Sequence, residues 1–89
     1  MPTSYLRLPV GMTTADGDKE VECHGATVRE VLDEAVAVEP RMRARIFRDD
    51  GRIFAGVFLN GRNVNALGGL DIAVGDGDKI TVLPPMSGG

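Results

Sequence analysis

The sequence ends in Pro84-Pro85-Met86-Ser87-Gly88-Gly89, a stretch with one clear chemical capability. Proline fixes φ and lacks an N–H, so the pair at 84–85 predicts the end of the preceding strand. The residues after it have little side chain to pack, so we expect 84–89 to form a flexible tail. Its reactive group is the carboxylate of Gly89. A Gly-Gly end can enter a narrow tunnel in another protein because no Cβ obstructs it.

Cys23 and His24 are a second candidate for chemistry, as a nucleophile and a base. Neighbouring residues of a strand point to opposite faces, so these two side chains cannot easily hydrogen-bond to each other. We therefore interpret Cys23 as a small buried hydrophobic residue. It is the only cysteine of the chain, which excludes an intrachain disulfide, an iron–sulfur cluster and a cysteine-rich zinc site.

Two glycine-rich stretches resemble ligand loops but are better interpreted as turns. The segment Gly75-Asp76-Gly77-Asp78 lacks the spaced carboxylates and the closing glutamate of an EF-hand. Gly68-Gly69 is followed by neither Lys-Ser/Thr nor a helix, so it is no phosphate loop. We expect no metal site and no bound cofactor.

A local basic patch predicts a solvated face, with docking of an acidic partner as the alternative. It consists of Arg41, Arg43, Arg45, Arg48 and Arg52.

Length and composition predict one cytoplasmic domain. A chain of 89 residues has room for a single core. Its net charge of −3 argues against nucleic-acid binding. No apolar run is long enough to span a membrane, and no signal peptide is visible.

Hydrophobic periodicity predicts strands and helices in a mixed order. Strands are expected over 4–10, 19–23, 53–59 and 79–83, with a short partner strand beginning at Val64. Residues 27–38 carry an apolar stripe after the capping-box pattern Thr27-Val28-Arg29-Glu30, which predicts the main helix. A weaker helical segment covers 41–48, with Met42, Ile46 and Phe47 turned inward.

One helix can cover one face of a four- or five-stranded sheet, so the fold class is α+β. By analogy we assign the β-grasp topology, with the first and last strands adjacent and parallel. The domain covers 1–83 and the tail 84–89. If Val57 faces the helix, Phe58 faces the open side of the sheet with Tyr5, Arg7 and Leu83. An aromatic residue there either supports cross-strand packing or marks a protein interface.

Four motifs follow one another along the second half of the chain: the run 58–64 with its Asn60-Gly61, Gly69-Leu70, the run from Asp76-Gly77-Asp78 to Pro84-Pro85, and Gly88-Gly89. Taken together, these motifs resemble the MoaD/ThiS family of ubiquitin-like sulfur carriers, and the resemblance covers nearly the whole chain. The Gly68-Gly69-Leu70 stretch before the acidic turn is also similar to CysO-type carriers.

The resemblance implies that the protein supplies no catalytic residues of its own. An ATP-using enzyme of the MoeB or ThiF type would adenylate Gly89, and a sulfur donor would then displace AMP to leave a thiocarboxylate. The residues Pro85, Met86, Ser87 and Gly88 would carry this group into an acceptor synthase. The free protein is expected to be a monomer. The acceptor belongs to molybdopterin, thiazole, cysteine or secondary-metabolite biosynthesis, and the sequence does not choose among these.

Two other functions remain open at this point. A ubiquitin-like modifier would use the same activated tail to form an isopeptide bond between Gly89 and a lysine. A β-grasp binding module with an incidental Gly-Gly would not need the tail, so deleting both glycines would leave its function intact.

Overall fold

The computed structural model describes residues 2–8, 17, 19–47 and 56–83. The predicted strand positions 9–10 and 53–55, Arg48 and Arg52 of the predicted basic patch, and the tail 84–89 lie outside these residues. The elements are β1 (Ser4–Arg7), β2 (Glu20–Cys23), α1 (Val28–Val38), α2 (Met42–Ile46), β3 (Gly56–Leu59), β4 (Arg62–Asn63), α3 (Val64–Leu67) and β5 (Lys79–Leu83).

The strands form one mixed sheet in the order β2-β1-β5-β3-β4. β1 pairs antiparallel with β2, so the first two predicted strands form a hairpin. β1 also pairs parallel with β5, with Leu6 opposite Ile80. β3 runs antiparallel to both β5 and β4. The parallel pairing of the first and last strands confirms the β-grasp topology.

Apolar side chains of the sheet and helices meet in one core. On the strands the buried residues alternate with exposed or half-buried ones, as period-two patterning requires. The helix α1 contributes Val28, Val31, Leu32 and Ala35. The strands contribute Leu6, Val21, Cys23, Val57, Leu59, Ile80 and Val82, and the short helices add Met42, Ile46 and Val64.

Of the two hydrogen bonds in the predicted capping box at the N-terminus of α1, the structure has the one accepted by Thr27 but not the one from Thr27 N to Glu30. The hydroxyl of Thr27 accepts a hydrogen bond from Glu30 N at 3.3 Å. The carboxylate of Glu30 accepts from Ala26 N at 3.1 Å, one residue before the position that a standard capping box uses. A Cβ on Gly25 would lie 2.6 Å from the Cβ of Glu30, so the close approach of chain and helix requires glycine there.

Val64 begins the helix α3, so the prediction that it starts a short strand was wrong. The partner strand is Arg62–Asn63, which begins two residues before Val64. The side chain of Asn63 accepts a hydrogen bond from Asn65 N at 2.9 Å and caps the helix. Gly68 ends it in the left-handed conformation, with φ of 119°. Local capping therefore turns the chain into a helix immediately after the strand pair.

The two turn motifs at 60–61 and 75–78 are bonded to each other. Asn60 accepts from Lys79 N at 2.9 Å through its side-chain oxygen, and its amide nitrogen donates to Asp78 at 3.0 Å. The second carboxylate oxygen of Asp78 accepts from Gly75 N at 2.7 Å. These bonds fix the start of β5, while Leu83 lies at the other end of the strand, where the chain continues toward residue 84.

Candidate functional site

The face of the sheet opposite α1 carries the four residues predicted to form a partner-binding surface. Leu83 is 45% exposed, Arg7 is exposed, and Phe58 and Tyr5 are half-buried. Their neighbours along each strand point into the core, so none of the four belongs to the helix-facing layer. The predicted placement on the open face is confirmed, and the predicted role in binding stays a prediction.

The register places these residues in successive rows across the sheet. Phe58 lies opposite Thr81, and Thr81 lies opposite Arg7. Leu83 lies opposite Gly56, two residues before Phe58 on the same face. Tyr5 lies opposite Lys79, at the far end. Phe58 and Leu83 are therefore close neighbours, whereas two strand spacings, about 10 Å, separate Arg7 from Phe58.

The ring of Phe58 packs against the backbone of Gly56. A Cβ on Gly56 would be 3.2 Å from Cε1 and 3.9 Å from Cζ of that ring. The ring therefore leans back along β3 toward the row that contains Leu83. We call the three residues Gly56, Phe58 and Leu83 the apolar patch. Gly56 was missed by the sequence reasoning, although its spacing of two from Phe58 indicates that both lie on one face.

A charged groove lies on the same open face of the sheet as the apolar patch, and none of the three patch residues lines it. It has a volume of about 610 Å³ and lies over β2, β1 and the start of β5. Cationic and anionic groups both line it, and Tyr5 lies among them. The charged residues are Arg7, Lys19, Lys79, Glu20 and Glu22. Lys79 and Thr81 were also missed by the sequence reasoning, although both follow from alternation with Leu83.

The tail residues of the predicted site, Pro85, Met86, Ser87, Gly88 and Gly89, lie outside the described residues. The chain reaches them from Leu83, the last residue of β5 and a member of the apolar patch. The open face is therefore the part of the domain from which the tail begins.

Cys23 belongs to the core rather than to a site. Its side chain is fully buried, and its thiol lies 3.6 Å from Val21 O and 3.8 Å from Val31 O. Burial, helped by the nearby carboxylates of Glu34 and Glu22, raises the pKa of the Cys23 thiol to about 12. The thiolate is the nucleophilic form, so the chain's only thiol is unsuited to sulfur transfer.

Cys23 is expected to resist alkylation in the folded protein. At pH 8 iodoacetamide should label it two to three orders of magnitude more slowly, as a rough estimate, than the same chain in denaturant. Because the thiol binds its proton more tightly in the folded state, its contribution to the free energy of unfolding is fully present below pH 9, the pKa of the thiol in the unfolded chain. This contribution is lost as the pH rises from 9 toward 12. Rapid labelling of the native protein, followed by mass spectrometry, would contradict the buried assignment.

Among the described residues, two ion pairs lie outside the open face: Arg29 with Asp71, which is exposed, and Arg41 with Glu39, whose carboxylate is largely buried. Arg29 donates to Asp71 at 2.9 Å, and the bond lowers the pKa of that carboxyl group. In the predicted basic patch, Arg41 binds Glu39 at 2.8 Å and Arg43 is exposed, while Arg48 and Arg52 lie outside the described residues.

Within the described ranges, no cluster of three or more acidic, histidine or cysteine side chains is arranged to hold a metal ion. None of the described helices is long and apolar enough to cross a membrane.

Comparisons with known proteins identify the family. The ThiS family model matches residues 8–89. The sulfur carrier protein CysO of Mycobacterium tuberculosis is 31% identical in an alignment of 77 positions that covers 82% of this chain and 83% of the relative. Small archaeal modifier protein 1 of Haloferax volcanii is 39% identical in an alignment of 66 positions that covers 72% of this chain and 71% of the relative.

A solved structure shows the same fold over nearly the full length. A chain of the BexX/CysO complex of Amycolatopsis orientalis is 34% identical, with a TM-score of 0.77, and the match covers 97% of this chain and 99% of that one. Its likeness agrees with the β-grasp topology, and the family model covers most of the sequence. The chain therefore belongs to the ThiS family.

Proposed function

We propose that this protein is a sulfur carrier that is activated at Gly89 and delivers sulfur as a thiocarboxylate. The observation that carries the proposal is the sequence Gly88-Gly89, which follows β5 in a member of the ThiS family. The similarity to a sulfur carrier protein supports it. On this proposal the protein is a co-substrate, and its partners perform the catalysis.

The chemistry requires an ATP-dependent partner because a free carboxylate is a poor acyl electrophile. A MoeB- or ThiF-like adenylyltransferase would join the Gly89 carboxylate to AMP and release pyrophosphate. A sulfur donor such as hydrosulfide would then attack the acyl carbon, and AMP would leave. The resulting thiocarboxylate is the nucleophile that an acceptor synthase uses. ATP is bound by the activating partner, so no cofactor of this chain is needed.

The open face of the sheet is the proposed docking surface for both partners. Fixing the backbone of a short segment costs about 1–2 kcal/mol per residue, so a tail alone is a weak binding element. The apolar patch offers a half-buried aromatic ring and an exposed leucine next to the point where the tail begins. Six fully extended residues span at most about 20 Å, which limits how far the partner's active site can lie from the patch.

The charged groove is proposed to orient the docked partner. Arg7 and Lys79 lie between the apolar patch and the carboxylates of Glu20 and Glu22. A partner surface with the complementary order of apolar, acidic and basic groups fits in one orientation. Such charge patterns affect the association rate and the choice of partner more than the affinity.

A protein modifier is the second candidate, favoured by the similarity to small archaeal modifier protein 1. It would share the adenylation step and differ in the acceptor, a lysine amine in place of a synthase. Both functions can be served by one activated tail. The two differ in whether covalent conjugates of higher mass form in the cell.

The test is intact-mass spectrometry after incubation with a MoeB- or ThiF-like enzyme from the same source, ATP and sulfide. We expect the mass to rise by the difference between one sulfur and one oxygen atom, with AMP and pyrophosphate as products. Omitting ATP is the control and should leave the mass unchanged. If no enzyme of this type from the source organism yields an adenylate or a thiocarboxylate, the proposal fails.

A further inference from the structure

We infer that Gly56 is a positioning residue for docking, because its missing side chain fixes where the ring of Phe58 lies. The inference rests on the proposed docking surface and adds a determinant that is not itself a contact of large area. Gly56 and Phe58 point to the same face of β3, and the ring covers the position that a Cβ of residue 56 would occupy.

The distances show that a side chain at 56 and the present ring position compete for one space. Carbon atoms in favourable contact are about 3.5–4.0 Å apart, whereas a Cβ on Gly56 would lie 3.2 Å from Cε1 of Phe58. An alanine would push the ring by a few tenths of an ångström. The branched side chain of valine would reach further into the ring's volume and force the ring into a different rotamer.

The backbone does not require glycine at this position. Gly56 is not among the described glycines with positive φ, and it lies in a regular antiparallel pair opposite Leu83. Alanine and valine are both compatible with such a strand, and valine is favoured in strands. Stability therefore gives no reason for glycine at 56, whereas the position of the ring does.

The position of the ring matters because it joins the two parts of the apolar patch. By leaning over Gly56, the ring approaches the row of Leu83, from which the tail leaves the domain. A ring displaced from Gly56 would leave Leu83 as an isolated exposed leucine. A partner pocket shaped for both side chains would then be mismatched, since interface cores depend on close complementarity.

The first measurement tests the geometry in the free protein. One Hα proton of Gly56 occupies the direction of a Cβ and faces the ring, so its chemical shift should be displaced by the ring current. In Phe58→Leu this displacement should disappear. A Gly56 Hα shift that is the same in both proteins would overturn the proposed ring position.

The second measurement is a double-mutant cycle with binding to the MoeB- or ThiF-like adenylyltransferase as the readout. Gly56→Ala should weaken binding by roughly threefold and Gly56→Val by roughly tenfold, with melting temperatures at or above that of the unmodified protein. In a Phe58→Ala background, Gly56→Val should have little further effect, because there is no ring to displace.

The outcomes separate this inference from the docking proposal. If Phe58→Ala weakens binding and Gly56→Val does not, the role of Gly56 is refuted and the docking surface stands. If the effect of Gly56→Val persists in the Phe58→Ala background, Gly56 acts by another route and the inference fails. If Gly56→Val lowers the melting temperature, glycine is needed at 56 for stability and the inference fails. If none of these variants affects binding, both the role of Gly56 and the docking surface are refuted. Thiocarboxylate formation at Gly89 is measured independently of all four outcomes.

Discussion

Removal of Gly89 is expected to abolish thiocarboxylate formation completely while leaving the fold unchanged. Adenylation needs the carboxylate to reach the activating enzyme's ATP, and a tail shortened by one residue falls short by about 3.3–3.6 Å. A misplacement of this size is large compared with the tolerance of a reacting geometry. The described core ends at Val82, so the melting temperature should not change.

The control for this experiment is Val38→Ala, which changes an exposed residue of α1 and leaves the tail and its terminal glycines intact. It should be converted to the thiocarboxylate at close to the rate of the unmodified protein. Detection by intact mass gives both results in one assay. Thiocarboxylate formation that survives deletion of both Gly88 and Gly89 would contradict the proposed function, and it would make the terminal Gly-Gly incidental.

The same deletion also separates the carrier from the modifier. Blotting of cells that produce the full chain would show conjugates of higher mass if Gly89 forms isopeptide bonds. These bands should vanish in cells that produce the chain without Gly89. If such bands are absent from cells in which the thiocarboxylate is present, the modifier function is contradicted and only the carrier function remains.

Local patterning was sufficient to predict most elements and the two faces of the sheet. Alternation at Leu6, Val57 and Val82 separates buried from open positions because successive strand residues point in opposite directions. The Thr27 cap and the apolar stripe were sufficient for α1. The parallel pairing of β1 with β5 did not follow from periodicity, since no local pattern specifies which strands are neighbours; it was assigned by analogy with the β-grasp arrangement.

The features that were missed depend on contacts between positions with individually ordinary patterns. The helix at Val64 follows from the cap formed by Asn63, a signal that was present but was outweighed by the apolar residue after the Asn-Gly turn. The bond between Asn60 and Asp78 joins turns 18 residues apart. The position of the Phe58 ring depends on an absent side chain at Gly56, and a rotamer of this kind is decided by its surroundings.

Phe58→Ala is expected to weaken binding of the adenylyltransferase by about tenfold or more, with little change in stability. Burying an aromatic residue at the centre of an interface commonly contributes about 2 kcal/mol or more. Phe58 is half-buried on the open face and is not part of the core cluster. Losing its cross-strand contacts with Thr81 and Asn63 should cost only about 0.2–1 kcal/mol of folding free energy.

The alternative is that Phe58 supports the sheet, which predicts a different pair of results. A core phenylalanine replaced by alanine costs about 3–5 kcal/mol, so the melting temperature would fall sharply. Val38→Ala is the matched control, because Val38 is 56% exposed on α1, on the other side of the sheet. A binding titration and a thermal melt of both variants decide the question. An unchanged melt with weakened binding for Phe58→Ala alone supports docking through the open face, whereas a large loss of melting temperature refutes it.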